Sequence, residues 1–584
     1  MSLESYLTGL MSNKIWKIKE SAPIEFFNKL GQYPRSILQL LWNREITDEK
    51  KINSFLNPSL KDLHDPLLMK NMKESAGRIV QAIKNNEKLA VYGDYDTDGI
   101  CSCVILTKAF ERFGFENYDI FIPNRFKGGY GLTNERVQQI ADLGVKLLIT
   151  FDCGVTDIEE TEFAKSLGME VLIFDHHMPH EKMPDTLIVD AQQLGDEYPF
   201  KYLAATGLAY KTVQVLADLM DFHFKPSLEK QVLELVAIAT IADQVPMVDE
   251  NRALVKHGLE QLRDTNNIGL KALLSAAGIA DVKKYDSYHG GFVIAPRLNA
   301  VGRVRHKTPE GRYDSTDYSF ELLTTDNENE AKMWAKKINE LNIERMKQGQ
   351  KVYAEIQEKI TNQGGPEKII FMGGNNWSNG IVGIIAGKLK DEWHRPVFLY
   401  SQDENISIGS SRSIPSFNLV EVLDRGKDLL VEAGGHKLSA GFTIKNENLE
   451  KFHQFLLKEG EKLNDEDLTP VLDIEVVLEP EDISPSFWAL FNRMEPFGKN
   501  NPEPVFLMKN LNIFSLRTVG NGSKHIKMVV EKNKKSFDVI SFNSAEKLSY
   551  LKPGMKIDLV FALKENEWQG RTYLDLELVD IKQV

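Results

Sequence analysis

Cysteine is nearly missing: the 584 residues hold three, Cys101, Cys103 and Cys153, with no CxxC pair among them. That excludes a disulfide framework and a thiolate zinc site. Lone cysteines beside acidic motifs are read as small buried residues. No apolar run is long enough to span a bilayer. The opening residues, MSLESYLTGLMSNKIWKIKE, lack a signal peptide's basic start and unbroken apolar core, so cytoplasmic residence and no membrane partner are expected. Walker-type lysine loops, GxGxxG after a strand and GxSxG elbows are also missing. ATPase, nucleotide-cofactor and serine-hydrolase chemistry are correspondingly disfavoured. An excess of basic residues is lacking too, with 71 lysines and arginines against 84 acids and a net charge of −13. A basic face coating duplex DNA is therefore excluded, whereas nucleic acid held in a narrow, locally basic cleft is not.

What is present belongs to an ordinary globular chain, long enough for roughly three to four domains. Residues 1–70 read as small helices and turns. Met72–Asn86 reads as an amphipathic helix with Met72, Ala76, Ile79 and Ile83 on one face. Short apolar strands then alternate with helices. Leu89–Tyr92 stops at Asp94, Asp96 and Asp98; Lys146–Phe151 stops at Asp152; Val171–Phe174 stops at Asp175, His176 and His177. Such alternation indicates a parallel sheet covered on both faces, an α/β fold. Ligands of open parallel sheets sit beyond the carboxyl ends of the strands, so the three endings are expected to converge on one crevice. Three carboxylates in one turn repel each other unless a cation joins them. Asp caps on a solvated turn are the other reading of the same residues.

Glu234–Asp243 reads as a buried helix ending at Asp243, where the dipole disfavours negative charge unless a cation compensates it or the side chain lies in an exposed turn. Residues 286–306 gather Arg297, Arg303, Arg305 and His306. Residues 327–360 read as one long, solvated helix linking domains. A second α/β unit starts near Glu367, and AGGHKLSAGF is read as a glycine-rich turn bearing His436. From Val471 onward six alternating runs suggest a small β-barrel. The expected organisation is thus a helical segment (1–70), a parallel-sheet catalytic domain (71–265), a connecting region with a long helix (266–362), a smaller α/β domain (363–465) and a β-barrel (466–584).

Carboxylates with histidine, and no thiolate, favour manganese or magnesium, with imidazole tipping the preference to manganese. Two ions about 4 Å apart, bridged by a shared carboxylate, would activate a water and clamp a phosphate.

DYDTDG, FDCG, FDHH and ATIADQVP resemble, in order and spacing, four motifs of the DHH phosphoesterase superfamily. GGHKLSAGF resembles the glycine-histidine motif of its associated second domain. APRLNAVGR, GSSRS, EPFGKNNPEPVF and the strand-rich end resemble the branch that cuts single-stranded DNA from the 5′ end. The resemblance implies an OB-like terminal barrel and a metal-dependent exonuclease releasing mononucleotides in DNA repair and recombination, with two manganese ions or magnesium. Helicase and single-strand-binding protein are the implied partners. It implies Asp96, Asp98, Asp152, His176 and Asp243 as metal ligands, Asp152 bridging, and Asp94 as a further ligand or a base. Asp175 would orient a histidine, and His177 would face the scissile phosphate. Arg125, Arg297, Asn299, Arg303, Ser410, Arg412 and His436 would contact the strand, and Tyr130 would stack a base or pack its loop. Phe497, Trp568 and Tyr573 are candidate base-stackers in the barrel or members of its core. Ser378 departs from the pattern by following Trp377 where a histidine is usual. The nearest rival is a short-oligonucleotide phosphodiesterase of the same superfamily. A chain-length series separates the two: long single-stranded DNA is expected to be attacked, and a preference for RNA of two to five residues would refute the exonuclease reading.

Overall fold

In the computed structural model, which describes residues 14–123, 131–223, 226–303, 317–568 and 571–584, the chain packs as two units. One spans Pro58–Leu463; the other joins the residues up to Asn57 to Asn464–Val584.

The first unit is built on five parallel strands, β1 (Leu89–Gly93), β2 (Tyr118–Phe121), β3 (Leu147–Phe151), β4 (Glu170–Phe174) and β5 (Leu187–Val189), in the order β2-β1-β3-β4-β5. Side chains alternate between the two faces as strand geometry requires. Leu89, Val91, Leu147, Ile149, Leu172 and Phe174 enter the core on one side. Ala90, Tyr92, Leu148, Val171 and Ile173 enter the core on the other. Because β1 is flanked by β2 on one side and β3 on the other, the chain's winding reverses between β1 and β3, and a crevice opens beyond their carboxyl ends.

Helix α1 (Thr97–Phe113) leaves β1 directly. Helix α2 (Ala205–Leu219) packs on α1, and α3 (Pro226–Ala242) packs on both. Leu235–Ala239 of α3 are wholly buried, as a nearly all-apolar helix must be. A buried ion pair ties this layer down: Lys211 Nζ lies 2.6 Å from Glu250, each side chain 1% exposed, and the same carboxylate accepts from the Tyr198 hydroxyl and the His64 amide.

The long helix α4 (Glu328–Asn362) differs from the solvated linker read from its charges. Ala331, Ala335, Ile338 and Leu341 belong to the core of the parallel sheet, while Val352, Ile356 and Ile360 belong to that of the next domain. Apolar residues three and four apart give it a buried stripe along its length, so it is a shared spine. The next domain is a five-stranded sheet of β6 (Ile370–Asn375), β7 (Val397–Gln402), β8 (Ile406–Arg412), β9 (Leu430–His436) and β10 (Ser439–Lys445), ordered β9-β10-β8-β7-β6, with α5 (Asn379–Trp393) packed on it. AGGHKLSAGF, read as a glycine-rich turn, is the end of the β9–β10 hairpin.

In the second unit, β11 (Phe506–Val519), β12 (His525–Lys532), β13 (Lys535–Ser541), β14 (Lys556–Trp568) and β15 (Arg571–Gln583) close a five-stranded barrel through pairing of β14 with β11. The first of the six runs is divided. Val471–Ile474 pairs instead with Ile15–Ile18, a strand within the stretch read as helices and turns, and Val476–Val477 alone adds to β11. Phe26, Ile37, Leu40 and Leu41 share a core with Phe487, Phe506 and Phe561, so the early residues complete the barrel's packing. Phe497 packs against that core. Among the described residues no helix is long and apolar enough to cross a membrane.

Glu250→Ala is expected to cost about 3–5 kcal/mol by stranding the Lys211 ammonium. Lys211→Met with Glu250→Leu should recover much of that loss, as measured by denaturant unfolding.

Candidate metal centre

The turn after β1 folds on itself so tightly that a Cβ on Gly99 would lie 2.3 Å from the Asp94 amide nitrogen. Asp96 caps α1, its Oδ1 accepting from the Asp98 and Gly99 amides at 2.8 and 3.3 Å. Asp98, 1% exposed, reaches across to the first turn of α2, where the amides of Ala205 and Thr206 donate to it at 2.7 and 3.0 Å and the Thr206 hydroxyl at 2.7 Å. A helix N-terminus thus offsets part of its charge.

Asp152 follows β3 in a left-handed conformation, φ +65°, anchored by its amide to the Phe174 carbonyl at 3.1 Å. Beneath it the rings of Phe151 and Phe174 stack at 4.8 Å, pinning the ends of β3 and β4 together. The His176 Nε2 lies 3.0 Å from Asp152 Oδ1, 3.8 Å from Asp98 and 3.7 Å from Asp243. Asp243, just past α3, is therefore no solvated turn residue but part of the same group.

Asp175 is fully buried and turned away from that group. Its Oδ1 accepts from the His176 and His177 amides at 2.8 and 3.2 Å and from His177 Nδ1 at 2.8 Å, and its Oδ2 accepts from the Val155 amide at 3.0 Å. It acts by positioning both histidines, and the His177 ring it holds through Nδ1 is 40% exposed. Sequence reading missed two props of this pair. Gln192 donates its side-chain amide to the His176 carbonyl, and Asp190, fully buried, holds the Gln192 amide at 2.7 Å. Asp190 ends β5, a fourth strand terminating in an acid, and the pattern that singled out the other three would have found it.

The electrostatics suit a cation. Burial, then the neighbouring Asp96, Asp98 and Asp94, pushes the Asp152 carboxyl well above its usual range, and burial raises Asp98 as well. Burial lowers His176 more than its acids raise it, which keeps a neutral nitrogen available. Burial also opposes the charged form of His177, yet the Asp175 hydrogen bond and charge carry it up to about 9. Donor atoms fall into three overlapping groups, each within 4.8 Å: Asp94, Asp96 and Asp152; Asp98, His176 and Asp243; and Asp152, His176 and His177. Asp152 belongs to two of them. Hard carboxylate oxygens with one imidazole fit manganese or magnesium.

The remaining candidates divide. Asn299 latches onto the acidic turn, its Oδ1 accepting from the Thr97 amide and hydroxyl at 2.9 and 3.0 Å. Arg297 bonds Asn339 and the Val293 carbonyl. Arg303 donates to the Gly380 carbonyl at 3.3 Å, its own carbonyl accepts from the Ser378 hydroxyl at 3.1 Å, and Ser378 also caps α5. Ser378 is thus a helix cap and interdomain tie at the position where the resemblance expects histidine. Ser410 and Arg412 bond each other at 3.1 Å beside Gly383 of α5, where a Cβ would lie 2.8 Å from the Ser410 hydroxyl. His436 stands exposed at the end of β9, its side chain making no hydrogen bond or ion pair among the described residues. Arg125, Tyr130, Arg305 and His306 lie outside the described residues, and the side chains of Trp568 and Tyr573 are likewise not described.

Three family models match the chain: the DHH family N-terminal domain over residues 88–240, the DHHA1 domain over 366–461 and the RecJ OB domain over 474–580. The single-stranded-DNA-specific exonuclease RecJ of Bacillus subtilis is 37% identical over 93% of this chain and 67% of its own length. That of Haemophilus influenzae is 31% identical over 97% of this chain and 98% of its own. The crystal structure of RecJ with Mn2+ from Thermus thermophilus superposes with a TM-score of 0.82 at 25% identity, covering 98% of this chain and 80% of that one.

Because the carboxyls of Asp98 and Asp152 are raised, the metal-free fold loses their contribution as pH rises through those values, and a bound cation restores it. Adding manganese should raise the melting temperature more at pH 8 than at pH 5. Asp152→Asn should abolish most of that rise.

Proposed function

The chain belongs to the RecJ family of single-stranded-DNA-specific exonucleases, and from that premise we propose that it hydrolyses single-stranded DNA from the 5′ end to mononucleotides at the acidic crevice beyond β1 and β3. The observation that carries the reading is the sharing of Asp152 between two donor groups, with His176 3.0 Å away. Asp96, Asp98, Asp152, His176 and Asp243 are the ligands, Asp94 completes the acidic half, and the site takes two manganese ions or magnesium. When bound, the metal supplies Lewis acidity at the phosphate and an activated water for in-line attack.

The chain's own residues do the rest. Asp98 and Asp96, pinned by backbone amides, keep their oxygens aimed into the crevice. Such fixed donors need no reorganisation at the moment of reaction. His177, protonated at neutral pH and steered by Asp175, presents Nε2–H to the scissile phosphate. As the bond from phosphorus to the 3′ oxygen breaks, that proton stabilises charge on the phosphoryl group or the departing oxygen. The shortened strand keeps a 5′-phosphate and re-enters the cycle. Arg297, Arg303, Ser410, Arg412 and His436 hold the strand, as does Arg125. The connections Asn299–Thr97 and Ser378–Arg303 keep the crevice narrow enough to reject duplex. The barrel adds a platform for the trailing strand. Cytoplasmic DNA repair and recombination, beside a helicase and a single-strand-binding protein, is the setting that fits this activity.

Digestion of 5′-labelled single- and double-stranded DNA with manganese, magnesium or chelator tests it. Single strands should be degraded with either metal, duplex spared, and chelator should stop the reaction. Asp152→Ala should lower the rate by more than the roughly 10–100-fold typical of losing a residue that only supports a metal ligand. Unchanged activity in that variant would refute the mechanism.

A further inference from the structure

Residues 288–299 straddle the acidic site. Their first part is a π-helical turn, His289–Ile294, a distortion that recurs at functional sites. It lies so close to α3 that a Cβ on Gly290 would come within 2.7 Å of Ile241 and one on Gly291 within 3.1 Å. Ile241 precedes the ligand Asp243 by two positions. At its other end the segment is latched through Asn299 to Thr97, between Asp96 and Asp98.

From this clamp two aromatic side chains point into solvent. Tyr288 and Phe292 are 61% and 74% exposed, and their rings stack on one another at 5.6 Å with planes 20° apart. Their spacing of four residues places them on one face of the turn. Arg297, which donates to the Val293 carbonyl next to Phe292, and its neighbour Arg345 of α4 are both half-buried. Arg345 bonds Asn342 at 2.9 and 3.2 Å, Arg297 bonds Asn339 at 3.0 Å, and neither pairs with a carboxylate among the described residues. Burial makes each guanidinium less favourable, and Arg297 adds to the cost at Arg345. Two neighbouring cations with no carboxylate partner among the described residues call for an external anion, and stacked rings open to solvent offer a flat apolar face. A base joined to a phosphodiester satisfies both, and these are the ingredients of sequence-tolerant single-strand binding.

We propose that Tyr288 and Phe292 form a base-stacking platform for the single strand at the edge of the metal centre, with Arg345 joining Arg297 on the phosphates of the same stretch. The inference rests on the exonuclease reading, and it assigns the strand a fixed path over α3 before it enters the crevice.

The test is equilibrium binding of a 3′-labelled oligothymidylate in chelator, followed by fluorescence anisotropy, for the wild-type chain, Tyr288→Ala/Phe292→Ala and Tyr288→Phe/Phe292→Tyr. The alanine pair should weaken binding by about tenfold or more, from stacking energies of 1–3 kcal/mol per base, and the aromatic pair should retain it. An abasic site walked along the strand should weaken the wild type at one position while leaving the alanine variant unaffected there. Wild-type affinity in the alanine variant, or equal abasic losses in both proteins at every position, would overturn the platform. If a protein partner occupies the rings instead, DNA affinity will not move, and that result counts against the proposal. Wild-type digestion of single-stranded DNA, measured alongside, separates the two claims. Digestion with an indifferent alanine variant removes the platform alone, whereas no digestion removes the exonuclease reading and the platform with it.

Discussion

Everything in the larger unit answers to one electrostatic constraint: carboxylates from three elements, Asp98, Asp152 and Asp243, must stand within 3.8 Å of the His176 imidazole, and Asp152 is only 3% exposed. Unpaired, such a group would neutralise itself by taking up protons, because both burial and like charge disfavour ionisation. The fold offsets the repulsion piecemeal. Asp96 uses the first amides of α1, Asp98 those of α2, and Asp175 three amides and an imidazole. What these dipoles leave over is charge that a divalent cation would offset. Asp152 itself adopts a left-handed backbone after β3, the kind of strain that persists when its surroundings over-determine it.

The second dependence is mechanical. Asn299 fastens the connecting segment to Thr97, and four residues later Arg303 is fastened to Ser378 and Gly380 at the start of α5. Helix α4 then shares its buried stripe between both cores. The acidic sheet and the sheet carrying Ser410 and Arg412 are thus tied by short polar bonds on one path and an apolar spine on another. Arg303 and Arg412 are held in place by hydrogen bonds while the net charge of the chain stays at −13. Few, fixed cations suit a single strand better than a broad basic face, which would bind any duplex.

How much of this was legible beforehand varies with the range of the interaction. The strands β1, β3 and β4 announce themselves as short apolar runs, and the acids at their ends follow from the rule for parallel sheets. Asp243 stands out in the sequence as a charge at the wrong end of a helix, and His176 lies 3.7 Å from it. Long-range pairings left no such mark. Val471–Ile474 reads like any barrel strand, yet its partner is Ile15–Ile18, more than 450 residues away. The charges of α4 conceal a stripe whose two halves face different cores. Gln192 and the first turn of α2 carry no local signal at all, since a glutamine and an Ala-Thr pair become supports only once the fold presents them.

The sequence by itself determined the donor types, their order and the parallel-sheet frame, because hydrophobic periodicity and strand-end acids are properties of contiguous residues. Only the tertiary structure decided which donors meet, that Asp175 supports while Asp98 faces inward, that Asn299 is a latch, and that Tyr288 and Phe292 lie open to solvent. Those outcomes depend on hydrogen bonds and exposure set by elements far apart in the chain. No local pattern carries that information.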